Sequence, residues 1–363
     1  MKDRKTLLYL LILSTFLISM MALLATAETG VYTNARSSSL YNTDTKSFLY
    51  EKNSDMRLPM ASTTKIITAL IGIENLDLDE IIKIPAEATG IEGSSLYLKE
   101  GDELTVRDLI YSVLLQSAND AATAIALHVS GSISAFADKM NERAREIGVS
   151  DTNFQNPHGL DDKDHYTTAH DLALIAAEAL NNPTFKKICS TYKYSFKIGD
   201  SVRTVVNHNK LLKRYEGCIG VKTGFTKKCG RCLVSAAERD GITFVAVTLD
   251  DPDDWHDHEE LMNYGFDKME AVNLYDAVSL PDALPTISSD GAQLSIKLSK
   301  STVVKFKDEE IKCYLNVPQY IVNNVEIDQK IGYISVNVGD RLEIIDVLAA
   351  QNLKINKNTN RFF

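Results

Sequence analysis

The amino-acid sequence predicts an α+β fold: an antiparallel sheet carrying a helical cluster, followed by a small all-β sandwich-like domain. Three observations predict it. Strand-like runs open and close the first part of the chain, at 31–51 and 219–249, with apolar stretches of helical length between them. Pro281, Pro285 and Ser288-Ser289-Asp290-Gly291 then punctuate a boundary. Short alternating runs separated by turn residues fill the remainder of the chain. The chain is expected to divide into a leader at 1–27, a first domain at 28–279 and a β-rich domain at 280–363.

The leader comes first. Lys2, Arg4 and Lys5 precede a largely apolar run from Leu7 to Leu24, and Ala25-Thr26-Ala27 supplies a small-x-small cleavage pattern. A cleaved signal peptide is expected, with the mature protein starting near Glu28 outside the cytoplasmic membrane. An uncleaved anchor is the alternative, because the apolar run approaches bilayer-spanning length. With 44% hydrophobic and 24% charged residues over 363 positions, the composition is that of a folded protein. The leader carries a net +2 (Lys2, Arg4 and Lys5 against Asp3), so its loss takes the formal charge from −10 to −12. So acidic a body argues against nucleic acid as a partner.

Five cysteines (Cys189, Cys218, Cys229, Cys232, Cys313) are an odd number for a secreted protein, so at least one is expected to be unpaired or paired between chains. Cys229-Gly230-Arg231-Cys232 invites a redox or zinc reading. No second ligand pair stands at zinc spacing and no βαβ context precedes it, so small buried residues of a strand are the expected role, and no metal is expected.

Val31 to Glu51 alternates around Asn42-Thr43-Asp44-Thr45, which predicts a β-hairpin. Pro59 then precedes a buried apolar helix through Ile66, Ile67, Ala69, Leu70 and Ile73. Ser62 falls in its first turn and Lys65 one turn further on, so the two side chains can meet. Apolar surroundings disfavour an ammonium and offer Ser62 a base; lowering a lysine pKa by about three units takes roughly 4 kcal/mol of differential solvation. Backbone N–H groups at the helix start can also face a developing oxyanion. The bland alternative is a helix-start serine beside a solvated lysine. Ser190-Thr191-Tyr192-Lys193 repeats the spacing with no apolar helix behind it.

From Glu74 to Glu100 short elements turn at Gly90, Gly93 and Gly101, and no chemistry stands out. Thr105 reads as the N-cap of a helix carrying Leu109, Ile110, Val113 and Leu114, and a second apolar helix runs through Ala121, Ala122 and Ile125. Ser117 and Asn119 lie on the connection between them, either as buried polar groups needing partners or as helix caps. An amphipathic helix with Phe136, Met140, Ala144 and Ile147 on one face ends near Gly148. Asn156 to Tyr166 is a polar loop whose His158 reads more readily as structural than as catalytic. Thr167 and Thr168 open a further helix.

Ile219–Gly224, Cys232–Ala237 and Ile242–Leu249 read as antiparallel strands, and Trp255 to Phe266 as a closing helix. In the tail, 294–298, 302–306, 312–317, 325–327 and 331–338 read as strands, while 347–363 is polar and weakly patterned, with no amphipathic anchor helix.

Ser62-Thr63-Thr64-Lys65, Ser117-Ala118-Asn119 and Lys222-Thr223-Gly224 occur in the order and rough spacing shared by penicillin-binding proteins and serine β-lactamases. Ser335-Val336-Asn337 duplicates the second of these alone. Within that superfamily the chain resembles the low-molecular-weight D-alanyl-D-alanine carboxypeptidases, serine peptidases that trim peptidoglycan stem peptides. Asn119-Asp120-Ala121-Ala122, Asn156-Pro157-His158-Gly159-Leu160, Thr168-Ala169-His170-Asp171 and Lys222-Thr223-Gly224-Phe225-Thr226 extend the resemblance, which covers roughly residues 30 to 275.

The resemblance implies a β-lactamase/transpeptidase-like domain with Ser62 as the acylated nucleophile, Lys65 as its general base and Ser117 as a proton relay to the leaving amine. Asn119 would hold the substrate's peptide backbone and Lys65. Lys222 and the Thr223 hydroxyl would take the substrate's terminal carboxylate, and the N–H groups of Ser62 and Phe225, which follows Gly224, the oxyanion. His208 stands where some members carry an arginine near the carboxylate, and Asp257 where some have a second, so carboxylate binding is expected to lean on Lys222, Thr223 and His208. The implied partners are stem peptides ending in D-Ala-D-Ala and β-lactam antibiotics. The implied setting is the bacterial cell envelope outside the cytoplasmic membrane, with membrane contact only through an uncleaved leader, and no cofactor. The alternatives are a β-lactamase or transpeptidase with the same acylation chemistry, or a non-catalytic penicillin-binding envelope protein using its β-rich tail.

Overall fold

Residues 30–356 are described by the structure, a computed structural model; the expected leader and its cleavage site lie outside them, as does the end of the chain from 357. Strands β1 (Ser37–Asn42) and β2 (Ser47–Lys52) form the expected hairpin. Its turn is closed by Asn42, whose side-chain oxygen accepts from the backbone N–H and hydroxyl of Thr45. A 3-10 turn at Ala61–Thr64 leads into α1 (Lys65–Asn75), buried from Lys65 to Gly72. A small ribbon of β3 (Ile81–Lys83) and β4 (Glu103–Thr105) precedes α2 (Val106–Tyr111), which Thr105 caps by accepting from the Asp108 N–H.

The helix expected around Leu109–Leu114 does not run straight through. After Tyr111 it widens into a π-helical turn, Ser112–Gln116, and stops at Ser117, whose φ of 63° is left-handed. π-Helical turns and left-handed non-glycine residues both concentrate at functional sites. Then come α3 (Asn119–Ser130), α4 (Ile133–Ile147), α5 (Ala169–Asn181) and α6 (Pro183–Cys189). A hairpin of β5 (Lys193–Ile198) and β6 (Ser201–Val206) and the short α7 (Leu211–Arg214) lead to β7 (Cys218–Thr226), β8 (Gly230–Arg239) and β9 (Ile242–Leu249), and then to α8 (Asp254–Lys268).

The main sheet is antiparallel in the order β2-β1-β9-β8-β7. Its two faces explain the near-continuous apolar runs in β8 and β9. Val234, Val245 and Val247 pack on one side against the helical cluster, with Ile66, Ile67 and Leu70 of α1 and Ala121, Ala122 and Ile125 of α3. Leu233, Phe244 and Ala246 point to the other side, where Leu261 and Met262 of α8 cover them.

Beyond α8, β10 (Met269–Asn273) leads through α9 (Leu274–Ala277) to an all-β part. There β11 (Ala283–Pro285), β12 (Gln293–Leu298), β14 (Ile311–Asn316), β15 (Lys330–Val338) and β16 (Arg341–Ala349) form a sheet in the order β11-β12-β16-β15-β14. The remaining strand, β13 (Thr302–Phe306), pairs with β10, so this ribbon joins residues from both sides of the expected boundary at 279. Leu294, Ile334, Val336 and Val347 centre the core of this part.

Two details differ from expectation. The stretch 325–327 makes a single bridge, Val325 to Leu353, rather than a strand. Arg341–Ala349, which the sequence did not mark, is a central strand: Ile345, Val347 and Ala349 are buried, but Leu342 and Ile344 on the opposite face are apolar and exposed, which erases the polar alternation that would have marked it. Among the described residues no helix is long and apolar enough to cross a membrane.

Candidate active site

Ser62 sits half-buried in the 3-10 turn ahead of α1, where the preceding Ala61 adopts a left-handed φ of 47°. Its hydroxyl oxygen lies 3.1 Å from Lys65 Nζ. Lys65 is wholly buried, and that burial, reinforced by the nearby Lys222 charge and opposed by Asp120, drives its pKa well below the ordinary lysine value. Nζ also lies 2.6 Å from Asn119 Oδ1 and 2.6 Å from the His158 carbonyl oxygen. The Asn119 amide is oriented by its other end, where Nδ2 donates to the Glu92 carbonyl.

Neither the Ser117 nor the Asn119 side chain caps α3, which begins after Ala118 with no side-chain cap bond; Ser117 instead closes the π-helical turn through its backbone N–H. Ser117 faces a cleft of about 310 Å³ that it shares with Ser62, Ser94, Thr223, Gly224, Phe225 and His208. Asn119 and Lys65 lie behind Ser62, and Lys222 is buried under β7 with Nζ donating to the Thr223 carbonyl at 2.8 Å. Burial pushes the Lys222 pKa down to about 7. The structure therefore gathers all nine residues singled out from the sequence in and immediately behind one cleft. The serine and lysine of the duplicated spacing at 190–193 do not line it.

Gly224 explains how β7 comes so near: its backbone packs on Met60 and Ser62, leaving no room for a Cβ without a shift. The 156–168 loop grips the other side of the nucleophile turn and α1. Pro157 O accepts from the Thr68 hydroxyl at 2.7 Å, and His158 supplies its carbonyl, not its ring, to Lys65. The His158 imidazole is pushed down to about 3 by burial, with Lys65 adding to the effect.

Several contributors were not legible in the sequence. The stretch 92–98, where no chemistry stood out, carries both backbone support and a cleft residue. Glu92 O holds the Asn119 amide, Ser94 O accepts the Asn119 N–H at 2.7 Å, and the buried Asp120 carboxylate accepts from the N–H groups of Leu96 and Leu98. The cation that reaches the far wall of the cleft is Arg231 of β8, paired with Asp254 through its Nε at 3.0 Å and its Nη2, beside Trp255. Asp257 is not in that wall. It is buried behind it, accepting from the backbone and side-chain nitrogens of Asn34.

The motif Cys229-Gly230-Arg231-Cys232 thus brackets a cleft residue. Cys232 lies buried in β8 against the cleft and Cys229 in the turn before it, and all five cysteines are free thiols. Among the described residues no cluster of His, Cys, Asp or Glu is arranged to hold a metal ion.

The family model for peptidase S11, the D-alanyl-D-alanine carboxypeptidases, matches residues 24–253. The chain is 38% identical over 221 residues to the D-alanyl-D-alanine carboxypeptidase DacF of Bacillus subtilis, a match covering 59% of this chain and 57% of that protein. It is 37% identical over 246 residues to a D-alanyl-D-alanine carboxypeptidase of Streptomyces, covering 62% of this chain and 84% of the relative. Among solved structures, the Streptomyces K15 DD-transpeptidase superposes with a TM-score of 0.63 at 34% identity over 66% of this chain and 99% of its own. The D-alanyl-D-alanine carboxypeptidase DacD from Francisella tularensis superposes at 0.64 with 27% identity, over 90% of this chain and 95% of its own. With its family model spanning well over half of the residues, this chain belongs to peptidase family S11, the D-alanyl-D-alanine carboxypeptidase family of serine hydrolases.

Proposed function

We propose that the protein is a serine carboxypeptidase that removes the terminal D-alanine from peptidoglycan stem peptides through an acyl-enzyme on Ser62, and that penicillins acylate the same oxygen. The arrangement of partners around Lys65 Nζ carries this reading. A neutral amine has two N–H bonds and one lone pair. Asn119 Oδ1 and the His158 carbonyl are acceptors only, each at 2.6 Å, and together they take both N–H bonds. The lone pair is left for the Ser62 hydroxyl at 3.1 Å. Lys65 is then a general base, kept neutral by burial.

Ser62 Oγ attacks the carbonyl carbon of the penultimate D-alanine while its proton passes to Lys65. The oxyanion faces the N–H groups of Ser62 and Phe225, each such donor being worth about 3 kcal/mol in related acyl transfers. The C–N bond then breaks, Ser117 relays the proton to the departing D-alanine amine, and water cleaves the ester to regenerate Ser62. The substrate's terminal carboxylate lies by the Thr223 hydroxyl, in the field of Lys222 and Arg231, with His208 at the exposed rim and Asn119 holding the peptide backbone.

The residues 1–27 serve in this reading as an export signal, 28–279 as the catalytic part and 280–363 as a β-rich appendage, placing the enzyme in the cell envelope outside the cytoplasmic membrane. Transfer to an amine acceptor instead of water is a second reading, favoured by the likeness to the Streptomyces DD-transpeptidase. A β-lactamase would need a carboxylate free to activate water. Asp254, the carboxylate in the cleft wall, is held by Arg231, so the penicillin adduct is expected to be long-lived. A non-catalytic binding protein would have no use for a buried Lys65.

Incubation with a labelled penicillin, followed by peptide mass analysis, should place the adduct on Ser62, and a stem-peptide mimic should release D-alanine. Folded protein that does neither overturns the proposal; an acceptor-dependent product would select the transpeptidase.

A further inference from the structure

The loop that grips the nucleophile turn carries a second histidine that the chemistry above does not use. His165 is buried, 3% exposed, with its ring edge-on to Phe154. Its hydrogen bonds define its tautomer. The Gln155 backbone N–H donates to His165 Nδ1 at 3.0 Å, so Nδ1 carries no proton. Nε2 lies 2.7 Å from the Thr64 hydroxyl. That hydroxyl has one proton, which goes to the Ala61 carbonyl oxygen at 2.8 Å, so it must accept from His165 Nε2–H. Burial, opposed by Asp162 and Asp161, pushes the ring pKa down to about 4, which keeps this neutral tautomer in place near neutral pH.

The chain of bonds ends on the Ala61 carbonyl, which belongs to the same planar peptide unit as the Ser62 N–H. Holding the oxygen therefore aims the N–H on the opposite side of that unit. The peptide is not aimed by local preference, since Ala61 has a left-handed φ of 47°. We propose that His165 is a positioning residue for acyl transfer: through Thr64 and the Ala61–Ser62 peptide it fixes the direction in which the Ser62 N–H meets the oxyanion. The assignment rests on the acyl-enzyme reading of the site.

The test compares variants that break the chain with variants that keep it. His165→Leu and Thr64→Val remove it, whereas His165→Gln keeps a donor toward Thr64 and Thr64→Ser keeps the hydroxyl. The acylation rate constant with a fluorescent penicillin, the noncovalent affinity for the same compound and the affinity for an alkylboronic acid, whose tetrahedral adduct occupies the oxyanion position, are measured beside thermal stability. Broken chains should lower acylation and boronate affinity together by about 10- to 100-fold with noncovalent affinity within about 2-fold, and the conservative variants should recover most of the loss. Should His165→Leu fail to fold, Thr64→Val alone decides. A folded Thr64→Val protein that acylates at the wild-type rate, or loses noncovalent and boronate affinity equally, overturns the positioning role. A wild-type protein that forms no adduct on Ser62 overturns the underlying reading instead.

Discussion

A Cβ placed on Gly224 would stand 3.1 Å from the backbone nitrogen of Ser62, and 3.0 Å from the Met60 carbonyl oxygen, so β7 and the nucleophile turn meet backbone to backbone. Gly224→Ala must push the strand and the serine apart by a few tenths of an ångström. Penicillin acylation should fall about 10-fold or more, with thermal stability little changed. Wild-type acylation in this variant would mean that the two backbones need not touch for the chemistry.

Lys65→Arg puts in a side chain of similar reach that stays charged and cannot take up the serine proton. It should fold and yet form adduct about 1000-fold more slowly, whereas Ser62→Ala, which removes the acceptor of the acyl group altogether, should form none. Stopped-flow labelling distinguishes the two, because only the arginine variant keeps a serine for slow reaction.

The two buried lysines should give kcat/KM a bell-shaped pH profile. Lys65 acts without its proton, so activity is lost as pH falls through its depressed pKa. Lys222 acts with its proton, so activity is lost as pH rises through about 7. Lys222→Arg stays charged and should carry the alkaline limb upward. An alkaline limb that does not move would assign it to another group.

Arg231 is held by Asp254 in the cleft wall. Arg231→Gln removes a positive charge from the cleft wall that faces the proposed carboxylate position and should raise KM about 10-fold with kcat within about 2-fold. Steady-state kinetics on a D-Ala-D-Ala peptide would show an unchanged KM if the arginine serves only Asp254.

Gly159 has a φ of +84°, and a Cβ there would fall 1.8 Å from the Ala61 carbonyl oxygen. Gly159→Ala should cost about 3 kcal/mol or more, read as a lowered urea midpoint. A near-native midpoint would show that the 156–168 loop can retreat from the nucleophile turn.

Local pattern revealed a good part of this architecture. The Asn42–Thr45 turn, the Thr105 cap and the apolar α1 arise from short-range chemistry, and the structure has each of them. Ser62 and Lys65 are a helical turn apart, so their meeting was legible too. Arg231, His165 and Glu92 were not, because each contributes through where the fold carries it. Arg231 reaches the cleft only because β8 pairs with β7 in a register that sets it opposite Phe225. Glu92 offers a carbonyl, which every residue has. The π-helical turn before Ser117 likewise leaves no mark in an apolar run that suits an α-helix equally well.

The sheet order β2-β1-β9-β8-β7 puts the first strand inside the sheet, between β2 and a partner, β9, that ends at residue 249. A ribosome working N-terminus first therefore releases Ser62 long before Gly224 and the rest of β7, roughly 160 residues later, or about 10 to 30 s of synthesis. Until then β1 has only the hairpin on one edge, and the nucleophile has neither its strand nor the opposite cleft wall. A chain threaded through an export channel while still unfolded would reach the envelope with its reactive serine unassembled, so its chemistry would be switched on only when β7 and β8 dock.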